Sequence, residues 1–401
     1  MLTEDVLLSV EGLKTHFFLD EGVVRSVDGV SLTVPRGRTV CVVGESGCGK
    51  SVTARSILGL VDPPGRIVEG NIWLRRPPVD KGLEVAGDST RARSRRGSTK
   101  PSGGLRTKAA GGRSTKRGPR TAEGADRIDL AVLDPHGEEL RQVRGNEISM
   151  VFQEPMASLS PMYTVAQHLV EAIMLHRRVT RKDAWSRGVA LLERVGIPRP
   201  EQRMDSYPFQ LSGGMCQRVM IAIALACEPS LLIADEPTTA LDVTTQARII
   251  DLLTELQADT GMAMLFITHD LGVVAEVADE VVVMYLGTVV EQGSVDDIFH
   301  HPQHPYTKAL LTSVPTMGSG VRQRKASIRG EVPHPLNRPP GCPYHPRCEH
   351  AIAGLCDTVD PPQVRVGPSL SRCVLHDAEL LHAHGVDSQR VRATFDAGEE
   401  K

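Results

Sequence analysis

At 401 residues with a net charge of −3, the chain is long enough for one large α/β domain plus an appendage. Its 40% hydrophobic content suits a soluble globular protein, and no apolar run approaches the ~20 residues that a bilayer-spanning helix needs. The opening Met1-Leu2-Thr3-Glu4-Asp5 is acidic and lacks the basic start of a signal peptide, so the chain is expected in the cytosol.

Apolar runs at 23–34, 39–43, 148–152, 231–234, 264–268 and 281–285 alternate with helical stretches, so residues 1–74 and 128–300 read as one α/β unit. The ring-bearing segment Leu13-Lys14-Thr15-His16-Phe17-Phe18 lies near the end of a first strand. The run Thr39-Val40-Cys41-Val42-Val43 reads as a buried strand. It leads into Gly44-Glu45-Ser46-Gly47-Cys48-Gly49-Lys50-Ser51, and a helical segment over 52–60 follows. The loop fits the phosphate-binding pattern G-x-x-x-x-G-K-[ST] at every fixed position. Its glycines let backbone N–H groups turn inward around phosphate oxygens, and the helix N-terminus adds partial positive charge. Lys50 is expected to reach the outer phosphates and Ser51 to ligate Mg²⁺. A chance glycine turn ending in Lys-Ser has no need of the flanking strand and helix.

Residues 75–127 interrupt this unit. They hold 15 Lys+Arg against 5 Asp+Glu, a net of +10, with no aromatic residue and much Gly, Ser and Thr. Such a segment cannot bury enough apolar surface to offset its ordering entropy, so a disordered surface insertion is expected. The functional alternative is a polybasic tether to anionic lipid. Specific nucleic-acid binding is not expected, because no aromatic is present to stack on bases.

Gln153 closes the run 148–152, and residues 161–227 are mostly helical. Val165, Leu169, Ile173 and Leu175 are assigned to one amphipathic face. Leu211-Ser212-Gly213-Gly214-Met215-Cys216-Gln217-Arg218 precedes a helix over 219–226. Its Ser-Gly-Gly offers a hydroxyl and open N–H groups for a second anion, or an ordinary N-cap. Leu231-Leu232-Ile233-Ala234-Asp235-Glu236 is a short apolar strand ending in two acids. Downstream of a phosphate loop, Asp235 is placed to orient Mg²⁺ and Glu236 to activate water. His269 closes the run 264–268.

These residues, in this order, resemble the ATP-binding cassette (ABC) ATPases. Residues 44–51, with Val52, are similar to their Walker A motif, and 231–236 to Walker B. Residues 211–218 are similar to the signature loop, and Ala240-Leu241-Asp242 to the D-loop. Gln153 is similar to the Q-loop glutamine and His269 to the switch histidine. The resemblance implies a P-loop NTPase cassette with a mixed-sheet core and a helical subdomain over about 161–227. It implies ATP bound by Gly44, Glu45, Ser46, Gly47, Cys48, Gly49, Lys50, Ser51 and Val52, with Mg²⁺ near Ser51, Gln153 and Asp235. Ser212, Gly213, Gly214 and Asp242 would complete the ATP site of a second cassette. Glu236, His269 and Gln153 take the catalytic roles. The family also places an aromatic against adenine, here Phe17, with His16 and Phe18 as rivals.

The branch is narrower still. Asp235-Glu236-Pro237-Thr238-Thr239, Phe152-Gln153-Glu154-Pro155 and His304-Pro305-Tyr306-Thr307-Lys308 resemble the oligopeptide/dipeptide importer ATPases. So do Pro340-Gly341-Cys342 and Arg347-Cys348. This implies a cassette over 1–300, a C-terminal extension over 301–376 and a polar tail over 377–401. The expected activity is ATP hydrolysis driving peptide uptake, at the cytoplasmic face of the membrane. Expected partners are a second cassette formed by a different subunit, two permease subunits and an extracytoplasmic solute-binding protein. An importer of nickel chelates or another small solute is the alternative cargo. A soluble ABC ATPase acting on ribosomes or DNA would carry tandem cassettes or long coiled-coil insertions, and this chain has neither.

Four of the eight cysteines, Cys342, Cys348, Cys356 and Cys373, fall in the extension with spacing C-x5-C-x7-C-x16-C. In a cytosolic chain this cluster favours metal over disulfides. The lack of a C-x2-C knuckle favours a [4Fe–4S] cluster, with Zn²⁺ as the rival and His345 or His350 as substitute ligands.

Overall fold

The computed structural model describes residues 5–76, 127–239, 241–313 and 328–396. In chain order, β1 (Val6–Leu19) and β2 (Gly22–Pro35) form a hairpin. β3 (Thr39–Val43) then runs towards α1 (Lys50–Ile57), and β4 (Gly65–Arg75) precedes β5 (Arg127–Asp129) and α2 (Glu138–Val143). From β6 (Ile148–Val151) the chain passes through α3 (Pro155–Ser158), α4 (Val165–His176), α5 (Arg181–Arg194), α6 (Pro200–Met204) and α7 (Gly213–Ala224) to β7 (Leu231–Asp235). Then come α8 (Val243–Thr260), β8 (Ala263–Thr268), α9 (Leu271–Val277), β9 (Glu280–Tyr285), β10 (Thr288–Ser294), α10 (Val295–His300) and α11 (Pro305–Thr312). The last described elements are β11 (Val364–Val366), β12 (Ser369–Ser371), α12 (Ala378–Ala383) and α13 (Ser388–Asp396).

Among the described residues the strands form two sheets, ordered β2-β1-β4-β5 and β11-β12-β10-β9-β3-β8-β7-β6. Strands β9, β3, β8, β7 and β6 are parallel neighbours. Parallel strands are covered on both faces, which is why their sequences are apolar throughout rather than alternating. Val40, Val42, Leu265 and Ile267 face the core shared with the β1–β2–β4 sheet. Cys41, Val43, Met264 and Phe266 face the core shared with α7, α8 and α9.

The expected insertion over 75–127 lies outside the described residues except for Arg75, Arg76 and Arg127. Arg75 and Arg127 are paired directly across β4 and β5, so the insertion leaves and re-enters at one point of the sheet edge. A loop closed by a strand pair costs little more as it lengthens, so the cassette can carry it.

Residues 161–227 are mostly helical, as expected. Thr164 caps α4 in a reciprocal arrangement with Gln167. Val165, Leu169 and Ile173 are buried, but Leu175 is 70% exposed and does not belong to that face. Two residues beyond Ile173, it lies nearly opposite on the helix.

The extension is more ordered than its composition suggests. β12 pairs with β10 and β11 with β12, so it lengthens the main sheet. Residues 377–396, expected as polar tail, form α12 and α13 and bury Leu381 and Phe395. The Phe395 ring lies 3.5 Å from Lys308 Nζ, which anchors α13 beside α11.

Candidate active site

The carboxyl ends of β3, β6, β7 and β8 release the phosphate loop, Gln153, Asp235-Glu236 and His269 at one edge of the parallel sheet. Adjacent parallel strands point the same way, so residues 224 positions apart in sequence, such as Glu45 and His269, emerge side by side.

The phosphate loop needs its glycines. Gly44 has φ 152° and a Cβ there would stand 2.2 Å from the Met284 carbonyl oxygen. Gly49, the α1 N-cap with φ 100°, is packed as tightly on the Ser26 carbonyl. Lys50 is buried and donates to the carbonyls of Gly44 (2.8 Å) and Glu45 (3.2 Å). Its ammonium thus folds back over the loop that it is expected to help fill with phosphate. Cys48 is also buried, and burial pushes its thiol above the usual range. Val52 lies in the first turn of α1, partly buried against the sheet core. Ser46 and Gly47 form the crest of the loop.

Ser51 Oγ donates to Asp235 Oδ1 at 2.8 Å. Burial raises the Asp235 carboxyl above its ordinary range, and the Ser51 hydrogen bond opposes that shift. A hydroxyl and a carboxylate in contact form the hard-oxygen pair that suits Mg²⁺.

Next to this pair, Glu236 collects three partners. Gln153 Nε2 donates to its Oε2 at 3.1 Å, Thr239 Oγ1 donates to the same oxygen at 2.9 Å, and His269 Nδ1 lies 3.4 Å from Oε1. Glu236 holds φ 46°, an uncommon left-handed geometry for a non-glycine residue, and its N–H donates to the Ile267 carbonyl. Such strain at a strand end turns the carboxylate into the cleft. Gln153, Glu236 and His269, to which the resemblance gives catalytic roles, therefore lie in contact. Thr239 was missed; only its position three residues after Glu236 hinted at the contact.

Ser212 caps α7 by accepting from Met215 N–H (3.3 Å), and Gly213 opens the helix. At Gly214 a Cβ would press on Thr245 of α8. Asp242 caps α8 through Thr245 N–H and Oγ1, bonds that hold its carboxyl below the ordinary range. Ser212 and Asp242 have no bond to the phosphate loop of their own chain among the described residues. Phe17 is partly buried, its ring covering Gly65, whereas Phe18 is 39% exposed beneath Arg66. His16 lies 3.6 Å from Asp28.

The extension supplies contacts that the sequence did not announce. His304 is fully buried and caps α11 by accepting from Tyr306 N–H, which explains the His-Pro-Tyr run. Tyr306 Oη in turn accepts from Glu45 N–H at 2.9 Å. Cys342, Cys348, Cys356 and Cys373 line one small cavity together with His345 and His350. Burial pushes the Cys342 thiol up to about 11 and the Cys348 thiol up to about 12. Burial and the proximity of the other three raise Cys373 as well. Among the described residues no group of three or more His, Cys, Asp or Glu side chains already has the arrangement of a metal site.

The ABC transporter family pattern matches residues 27–102 and 115–239, and that of the oligopeptide/dipeptide transporter C-terminal region matches 290–356. The oligopeptide transport ATP-binding protein AppD of Bacillus subtilis is 42% identical over 93% of this chain and 98% of its own. The dipeptide transport ATP-binding protein DppD of Haemophilus influenzae is 41% identical over 92% of this chain and 94% of its own. The solved dimeric ABC transporter cassette MJ0796 shares the fold with a TM-score of 0.53 at 23% identity, covering 72% of this chain and 99% of that one. The chain belongs to the ABC transporter family of ATP-binding proteins, in the branch that carries the oligopeptide/dipeptide C-terminal region.

Proposed function

We propose that this chain is the ATP-hydrolysing subunit of a membrane importer of di- or oligopeptides. The observation that carries the hydrolytic part is the Glu236 carboxylate, held by Gln153, Thr239 and His269 beside the Ser51–Asp235 pair. Glu236 orients and deprotonates the attacking water, and His269 contacts the terminal phosphate. Lys50 leaves its loop carbonyls for phosphate oxygens. Ser51, Asp235 and Gln153 would hold Mg²⁺, which would supply charge neutralisation at the phosphates. Among the described residues Ser212 and Asp242 make no bond to the phosphate loop of their own chain, which supports a role for Ser212, Gly213, Gly214 and Asp242 at the ATP site of a second cassette. Phe17 is the proposed adenine platform.

The peptide cargo rests on relatives named for oligopeptide and dipeptide transport. Two permease subunits, a solute-binding protein and a place at the cytoplasmic face of the membrane follow from the same reading. Among the described residues no helix is long and apolar enough to cross a membrane. The basic segment 75–127 is the proposed contact with anionic lipid. The four thiols around one cavity support a [4Fe–4S] cluster, with Zn²⁺ as the second reading. Expression with the neighbouring permeases in a strain lacking peptide importers tests the cargo. Uptake of labelled dipeptide or oligopeptide that stops on Glu236→Gln supports it. Robust ATPase activity without peptide uptake, but with nickel-chelate uptake, overturns it.

A further inference from the structure

We infer that Arg347 of the cysteine-bearing extension is a positioning residue for ATP binding, acting by holding the Glu45 carboxylate of the phosphate loop. The inference rests on reading residues 44–51 as the ATP site.

Arg347 is only 6% exposed. Its Nη1 donates to Glu45 Oε2 at 2.7 Å and its Nη2 to Oε1 at 3.1 Å, a two-point grip across 302 positions of sequence. The rest of the guanidinium is fixed too. Nε donates to the Arg329 carbonyl (2.8 Å), Nη2 to the Gly330 carbonyl (3.2 Å) and Nη1 to Tyr285 Oη (3.3 Å). The backbone of Glu45 is pinned from the same side by Tyr306, which accepts its N–H. Tyr285, Tyr306 and Tyr344 pack ring on ring beneath these bonds. A second arginine, Arg338, reaches Asp28 at 2.7 Å on the β2 side, where the Ser26 carbonyl abuts Gly49.

A carboxylate at the second position of a phosphate loop is a liability. It carries the same sign as the triphosphate that the loop must wrap. It also belongs to the residue whose backbone carbonyl accepts from the Lys50 ammonium. Arg347 cancels that charge, and its planar fork fixes which way the carboxylate points. Lysine would restore the charge without the fork. Because Arg347 directly precedes Cys348, the ATP loop is tied to the segment whose cysteines line the cavity.

The test is a cycle on the full-length chain: wild type, Arg347→Ala, Glu45→Gln and the double variant, with Lys50→Ala as control. ATP affinity is measured by equilibrium binding, and KM and kcat on the assembled transporter. Arg347→Ala should weaken ATP binding on the order of tenfold, the scale of an uncompensated charge at short range. The loss should appear in KM far more than in kcat. Arg347→Lys should recover part of it. In the Glu45→Gln background, Arg347→Ala should change ATP affinity less than about twofold, since no charge remains to be cancelled. A purely structural role would survive removal of the carboxylate. An equal loss in both backgrounds, or no loss in either, overturns the inference. Should Arg347→Ala prove insoluble, the comparison of the double variant with Glu45→Gln decides alone. If Lys50→Ala leaves ATP affinity unchanged, the site itself has been misread, and that failure is separate.

Discussion

The nucleotide cleft has two walls built on different principles. The cassette wall consists of residues that directly follow buried parallel strands: the phosphate loop after β3, Gln153 beyond β6, Asp235-Glu236 at β7 and His269 after β8. Backbone geometry delivers each of them. The extension wall consists of Tyr306 and Arg347, whose side chains reach Glu45 of the phosphate loop, and Arg338, whose side chain reaches Asp28 of β2, all from elements far along the chain. The first wall carries the groups suited to bond breaking. The second holds the first in place. Damage to the first should therefore stop turnover, and damage to the second should shift affinity and stability.

Glu236→Gln breaks the first wall most sharply. The amide keeps the shape and the contacts with Gln153 and His269 but cannot accept a proton. Turnover should fall by about 10²–10⁴-fold with ATP binding retained, and the association of two cassettes should become ATP-stable. Single-turnover hydrolysis near the wild-type rate would remove Glu236 from the role of base. Lys50→Ala should fail earlier, at binding: equilibrium measurements should find ATP affinity lost while the thermal unfolding of the nucleotide-free protein is little changed.

The same contrast explains how much could be read from the sequence. The cassette wall was legible because each motif needs a local pattern, an apolar strand followed by Gly, Asp-Glu or His, and fixed spacing makes that pattern specific. The extension wall was not. Nothing near Arg347 in sequence indicates that it faces Glu45, and nothing near Glu291 indicates that its carboxylate receives Gln303 and His304 N–H groups. These are pairings set by the tertiary fold. α12 and α13 were hidden by their polar composition, because a short helix with one buried anchor such as Leu381 or Phe395 leaves almost no periodic signal. Leu175 was misassigned because apolar residues two apart look clustered in sequence yet diverge on a helix.

Cys373→Ser tests whether the second wall depends on the thiol cavity. Cys373 is buried in the cavity lining, near the other three thiols. If the proposed centre exists, anaerobically prepared Cys373→Ser protein should lack the iron and sulfide, or the zinc, that the wild type holds. Limited proteolysis should then open residues 328–396 before the cassette. ATP affinity should fall by no more than it does in Arg347→Ala, since the tie between the walls runs through that arginine. Wild-type protein without metal, with four freely alkylated thiols and a protease-resistant extension, would sink the cluster.

The smallest expected effect lies at the seam between the walls, at Glu291 of β10. Its side chain is fully buried, and burial lifts the carboxyl from 4.5 to about 7, against the Thr307 hydroxyl, the Gln303 and His304 N–H groups and the Lys308 charge, which favour the ionised form. A carboxyl whose folded value is raised binds its proton more tightly in the native state than in the unfolded one. The stability it contributes is therefore complete below pH 4.5 and disappears as pH rises through about 7. Glu291→Gln is neutral at every pH. It carries a constant penalty, because one amide oxygen cannot replace both carboxyl oxygens as acceptors. The melting temperature of the wild type relative to this variant should thus drift down by a few degrees between pH 4.5 and 8, with most of the change before pH 7. A difference that stays flat across that range, or one that grows in favour of the wild type, would mean that Glu291 is ionised throughout and that the seam is held by its two hydrogen bonds alone.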